Sequence, residues 1–134
     1  MAKIAKVEGI GEAFGQQLAA IGIATTQALL ARGATPPGRR QIAEQTGIAP
    51  ALVLRWVNHV DLFRIKGVGE EYAELLEAAG VDTVPELARR THLGLYQRLV
   101  ETNKAKRLVR QLPSAKQVAA WVAHAKALPR LLTY

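Results

Sequence analysis

The sequence predicts an all-α fold built from two duplicated halves, and three observations carry that expectation. Ala and Leu dominate a 134-residue chain that is 49% hydrophobic but only 5% aromatic. The two-residue apolar alternation of a half-buried strand is almost absent, and Gly and Pro break the apolar runs at short intervals, which favours short helices. The third observation is a repeat. Gly9-Ile10-Gly11-Glu12 returns as Gly67-Val68-Gly69-Glu70, and Val7 to Arg32 aligns without a gap on Ile65 to Arg90. The halves are expected over 1–61 and 62–134, packed into one compact helical domain, since this length and apolar content suffice to bury a core.

Each repeat reads as an apolar residue, any residue, Gly, an aliphatic and Gly, followed by a short amphipathic helix. That helix carries Phe14, Leu18 and Ile21 in the first copy and Tyr72, Leu75, Leu76 and Ala79 in the second. Gly15 and Ala73 match as small residues, and Leu18 and Leu76 match at the same helical offset. This is the layout of a helix-hairpin-helix. So tight a turn needs positive φ, which glycine reaches without steric cost, and that is the backbone reason for Gly9, Gly11, Gly67 and Gly69. The following helix would begin with free N–H groups at its positive end, a ready site for an anion such as a DNA phosphate.

Beyond the hairpins, Gly33 can close a helix, Thr35 can cap the next, and Pro36 and Pro37 suit its first turn. A helix from about Gly38 to Thr46 follows, Gly47 breaks it, and Pro50 opens another through Trp56. In the second half Thr83-x-x-Glu86 forms a capping box for a short helix. The pattern then runs helical through Leu95 to Leu112, stops at Pro113 and restarts near Ser114. Val118, Trp121, Val122, Ala125 and Leu128 share one face of that last helix, so they are expected in the core. Trp56-Val57-Asn58-His59 is answered by Trp121-Val122-Ala123-His124, which predicts two core indoles and two histidines with packing or hydrogen-bonding roles.

On these residues the two copies resemble the helix-hairpin-helix modules of DNA repair and replication proteins. The whole chain resembles a bacterial family described as a domain of unknown function and built from a tandem pair of such units. What the resemblance implies is a hairpin backbone that holds phosphates without reading sequence, in that wider superfamily sometimes with a monovalent cation on its carbonyls.

Charge placement says more than the net +7. From residue 1 to 97 ten Lys and Arg balance ten Asp and Glu, whereas from Arg98 onward eight basic residues face only Glu101. Lys104, Lys106, Arg107 and Arg110 fall at i+3 and i+4 spacings, so a helix would gather them into one cationic stripe, with Leu108, Val109 and Leu112 turned to the core. A helix end favours cations by only about 0.3–1 kcal/mol, whereas neighbouring like charges repel, which points to a phosphate-facing surface. The hairpins are less basic. Glu12 follows one, Glu70 and Glu71 the other, and Glu8 lies inside the first; a carboxylate there satisfies the same donors as a phosphate and repels it. Lys66, with Arg64 nearby, makes the second hairpin the better phosphate site.

Other chemistries find little support. Ala43, Gly47, Ile48, Val53 and Trp56 stand at helix-turn-helix offsets, but the second helix offers only Arg55, Asn58 and His59 among apolar residues, which suits burial better than base reading. His59, His92 and His124 are far apart in sequence, and Glu70, Glu71, Glu74 and Glu77 read as a polar helix face. No Cys is present, and the Gly-x-Gly pairs follow no strand, so neither a thiolate site nor a dinucleotide fingerprint is expected. Met1 to Lys6 precede no apolar leader segment, and no run is long enough to span a bilayer, so a cytoplasmic location is expected. The reading is of a protein that is not an enzyme, without cofactor or metal, binding nucleic acid irrespective of sequence. Its expected site is Lys66, Gly67, Val68 and Gly69 of hairpin two, Lys104, Lys106, Arg107 and Arg110, and Gly9 and Gly11 of hairpin one. The alternative is a protein-interaction or scaffolding module whose hairpins only hold helices together.

Overall fold

The computed structural model describes residues 3–7 and 9–134. It is helical, with no strand among those residues beyond an isolated bridge between Lys3 and Thr25. A 3-10 turn at Ile4–Lys6 precedes α1 (Gly11–Ala19), α2 (Thr26–Arg32), α3 (Pro36–Thr46), α4 (Pro50–Leu62), α5 (Glu70–Ala78), α6 (Val84–Ala88), α7 (His92–Lys106) and α8 (Ala115–Ala127). The residues fall into two compact units. One holds the chain up to Asp61 together with Leu131–Tyr134, and the other is Leu62–Arg130.

In the first unit, local signals place the helix ends. Thr25 and Thr35 accept hydrogen bonds from the N–H groups of Ala28 and Gly38, at 3.1 and 3.3 Å, satisfying donors that the first turns of α2 and α3 leave open. Pro36 and Pro37 fill the first turn of α3, as their place after Thr35 suggested. Gly47 ends α3 in the left-handed region at φ 75°. Helix α4 then runs past Trp56 to Leu62, with every residue from Trp56 to Leu62 buried. That includes Asn58, His59 and Asp61, so α4 is the central helix of its unit and no base-reading surface. Against it lie Phe14, whose ring centroid is 5.1 Å from that of Trp56, and the backbone at Gly33, which leaves no room for a Cβ beside Val57. The C-terminal residues complete this unit. Leu132 is buried, the Thr133 N–H donates to the Ala34 carbonyl at 2.9 Å, and the Tyr134 hydroxyl bonds Asn58 Oδ1 at 2.7 Å.

The second unit centres on α8, which packs on α6 and α7, while α5 also meets α7. Its core joins Ile65, Val68, Leu75, Leu76, Leu87, Leu95, Leu99 and Trp121, with Val118, Val122 and Ala125 from the face the sequence assigned to the interior. Ser114 and Gln117 form a reciprocal capping box at the start of α8, and Thr83 accepts from the Glu86 N–H at 3.4 Å.

Local geometry recurs at equivalent positions of the two units. After α1 the Ile23 N–H returns to the Leu18 carbonyl at 2.9 Å, with Gly22 at φ 87°; after α5 the Val81 N–H returns to Leu76 at 2.8 Å, with Gly80 at φ 95°. These are left-handed helix ends of the kind glycine supplies.

One sequence expectation fails here. Helix α7 does not reach Leu112 but ends at Lys106, and Arg107 turns left-handed at φ 52°. The cause is Asn103. Its carbonyl accepts from the Arg107 N–H at 2.7 Å, its side-chain oxygen accepts from the Val109 N–H at 2.9 Å, and its amide donates to the Val109 carbonyl at 3.1 Å. A side chain that pairs with both polar groups of a residue six positions on replaces the helical bonds that residue would have made.

Candidate nucleic-acid interface

The Gly-x-Gly turn expected as hairpin two runs from Ile65 into the first turn of α5. The Val68 N–H donates to the Ile65 carbonyl at 3.0 Å, closing a turn in which Gly67 adopts φ 90°. Gly69 does not share that conformation. It is the N-cap of α5 at φ −104° and ψ −162°, extended backbone open to any residue, so the expected positive φ is found at Gly9 (89°), Gly11 (62°) and Gly67 but not at Gly69. The side chain of Val68 is buried and plugs the hairpin onto the core, while Lys66 is exposed.

The hairpin is also less open to an anion than its sequence implied. The Lys66 N–H is taken by Nδ1 of His124, at 3.1 Å, which fixes the role expected for that histidine and removes one donor from any phosphate. Trp121 lies directly below, its Nε1 only 3.2 Å from where a Cβ on Gly67 would sit, so the glycine is needed for close approach as well as for its dihedral. No side chain caps α5, and Glu71 is exposed in its first turn.

Hairpin one has the same plan. Gly9 lies over Trp56, whose Nε1 is 3.4 Å from a Cβ position on Gly9, and Ile10 is buried as Val68 is. The indole N–H has no hydrogen-bond partner among the described residues. Arg55, one residue before the indole, brings a terminal nitrogen to 3.9 Å from the same point over Gly9. Sequence reasoning weighed Arg55 only for a base-reading helix, which it set aside, and missed this; nothing local in the sequence signals it. Glu12 is exposed, and Glu8 lies outside the described residues.

The four C-terminal cations do not form the expected helical stripe. Lys104 and Lys106 end α7, Arg107 is its left-handed cap, and Arg110 lies in the irregular stretch before Ser114. All four are exposed, and none forms an ion pair among the described residues. The inward half of the expectation survives without a helix: Val109 is buried, and Leu108 and Leu112 pack against the core. What was a stripe is a cationic turn, held by Asn103 from one side and by Tyr72 from the other. The Tyr72 hydroxyl donates to the Gln111 carbonyl at 3.0 Å, while its ring lies 5.2 Å from that of Trp121. Because Tyr72 stands in the first turn of α5, one side chain ties the hairpin helix to the cationic turn.

Asn103→Ala is expected to destabilise the protein by about 1–3 kcal/mol, because the buried Val109 N–H and carbonyl lose their partner. The shift should appear as a lower urea midpoint at unchanged slope, and an unaltered midpoint would show that Asn103 does not hold the turn.

Comparison with known proteins identifies the family. The model of the domain of unknown function DUF4332 matches residues 8–128, most of the chain, and the protein belongs to that family. No curated protein and no solved structure matches it. No helix among the described residues is long and apolar enough to cross a membrane.

Proposed function

We propose that this DUF4332 domain binds nucleic acid without catalysis and irrespective of sequence, through the cationic turn of Lys104, Lys106, Arg107 and Arg110 together with Lys66 of hairpin two. In this reading the two Gly-x-Gly turns are helix-hairpin-helix motifs. The observation that carries it is the cationic turn itself: four exposed cations, unpaired among the described residues, on a backbone fixed by Asn103 and Tyr72. Like charges held together on a rigid segment repel one another, and a row of phosphates relieves that repulsion. Lys66 adds a fifth exposed cation, on the hairpin that Tyr72 links to the turn.

Labelled duplex and single-stranded DNA titrated at several salt concentrations test this. Three or four phosphate contacts give a log–log slope of roughly −3 to −4 on duplex DNA, with little dependence on sequence. Reversing Lys106 and Arg110 together to Glu is expected to abolish binding and leave the melting temperature unchanged, since both are exposed. Lys66→Glu should weaken binding in part. No binding at about 50 mM salt and micromolar protein, where nonspecific electrostatic affinity is strongest, overturns the reading.

A second reading, a protein-interaction or scaffolding module with structural hairpins, is favoured by a specific observation. The hairpin N–H that would meet a phosphate at Lys66 is closed by His124, and an indole fills the space under Gly9 and Gly67 alike. Absence of DNA binding at about 50 mM salt, with the fold intact, selects it.

A further inference from the structure

The segment Leu131–Tyr134 belongs to a different unit from the residues that lead into it. Residues Leu62–Arg130 form the second unit, yet these four complete the first. Their docking is read out over three residues. Leu132 is buried, the Thr133 N–H donates to the Ala34 carbonyl at 2.9 Å, and the Thr133 carbonyl accepts from the Arg39 guanidinium at 2.7 Å. The same guanidinium donates to the Gly33 carbonyl at 2.8 Å and lies 5.3 Å from the centre of the Tyr134 ring, whose hydroxyl reaches the buried Asn58. An apolar anchor, both backbone polar groups of one residue and an aromatic head each meet a partner on the first unit. Grooves recognise extended peptides in this way.

The same segment is where the protein leaves apolar surface uncovered. Three large apolar residues are exposed among the described ones, and two of them, Leu131 at 45% and Tyr134 at 58%, lie here. The third, Leu93, is in α7 of the second unit. The groove thus seats Leu132 but leaves the large side chains around it open, and a second molecule is what can cover them.

We propose that Leu131–Tyr134 is exchanged between two copies of the chain, each seating the other's segment in its own groove of Ala34, Arg39 and Asn58. Every contact described above forms equally well with the segment of a second copy, so exchange costs no bond. It also adds a contact that a closed copy lacks. The two connecting stretches pass each other at the two-fold axis, where Leu131 of one copy covers Leu131 of the other. Closed copies compete, because within one chain the segment is held at an effective concentration of about a millimolar. The exchanged pair is therefore expected to accumulate as the protein approaches that range. None of these residues lies in the cationic turn or in hairpin two, so the inference stands whether or not the chain binds nucleic acid.

Two measurements on the full chain test it together. Light scattering between about 10 µM and 1 mM protein should show the average mass rising toward that of two copies. Isotope-filtered NMR on labelled and unlabelled protein, unfolded as a mixture and refolded, should then show which contacts cross between chains. Cross-peaks from the Thr133 amide proton to Ala34, and from the Tyr134 ring to Arg39, are expected between differently labelled copies. Leu131→Asp should return the protein to single copies and leave its melting temperature in dilute solution unchanged, since Leu131 is exposed. A mass that stays at one copy up to about 1 mM overturns the proposal. So does a dimer in which those cross-peaks arise only within one chain, the outcome expected if another surface, such as that around Leu93, holds the copies together.

Discussion

Trp56→Ala and Trp121→Ala should each cost about 3–5 kcal/mol, the usual penalty for emptying a large aromatic site in a core. Both indoles are buried, each stacks obliquely on an aromatic ring of the helix after a Gly-x-Gly turn, and each brings Nε1 up under the left-handed glycine of that turn. Truncation therefore removes the floor of a hairpin as well as core volume. Against a total stability of about 5–15 kcal/mol the loss is a large fraction of the whole. Denaturant melts of the two variants measure it. Iodide quenching of the native protein gives an independent check: both rings should be protected, and strong quenching would show that they face solvent.

The second large effect concerns Gly67. A valine there must adopt φ near 90°, a strain of about 1–3 kcal/mol, and its Cβ would press on the Trp121 indole 3.2 Å away. Gly67→Val is expected to lower the melting temperature by several degrees or more. Gly69→Val should leave it nearly unchanged, because Gly69 is extended and nothing lies within 4 Å of its Cβ position. Equal losses from the two substitutions would contradict the turn geometry. The contrast between two glycines that look alike in sequence is the sharper part of the test.

That pair shows how far the repeat could be read. Gly-x-Gly in each half announced a tight turn, and the turn is there, but a sequence motif does not say which of its glycines takes the positive φ. In hairpin one both do, whereas in hairpin two Gly69 is the extended N-cap of α5. The cap residues were more legible. Thr35 and Thr83 sit before their helices and bond N–H groups three residues on, an interaction settled within one turn of chain. The inward face of α8 was legible for the same reason, since helical periodicity is a local property.

The cationic turn was only half legible. Composition concentrated the charge after Arg98, and the apolar pattern correctly turned Val109 inward. No Gly or Pro marked the end of α7, however, so a continuous helix was the natural expectation. Asn103 was the available sign, because Asn readily bonds nearby backbone, but its pairing with Val109 competes with helix only once Val109 has a core to enter.

By itself the sequence determined the all-α class, the tight turns at Gly9 and Gly67, several helix starts and the two core tryptophans, because capping, glycine dihedrals and helical periodicity act over a few residues. Tertiary structure alone decided that α4 buries Asn58, His59 and Asp61, that His124 closes the Lys66 N–H, that Tyr72 reaches Gln111, and that Arg98 caps the Ala79 carbonyl. Each of those contacts joins residues brought together by packing, or buries polar groups that a local pattern would leave in water. Their energies depend on desolvation and on the partner's position, neither of which is written in neighbouring residues.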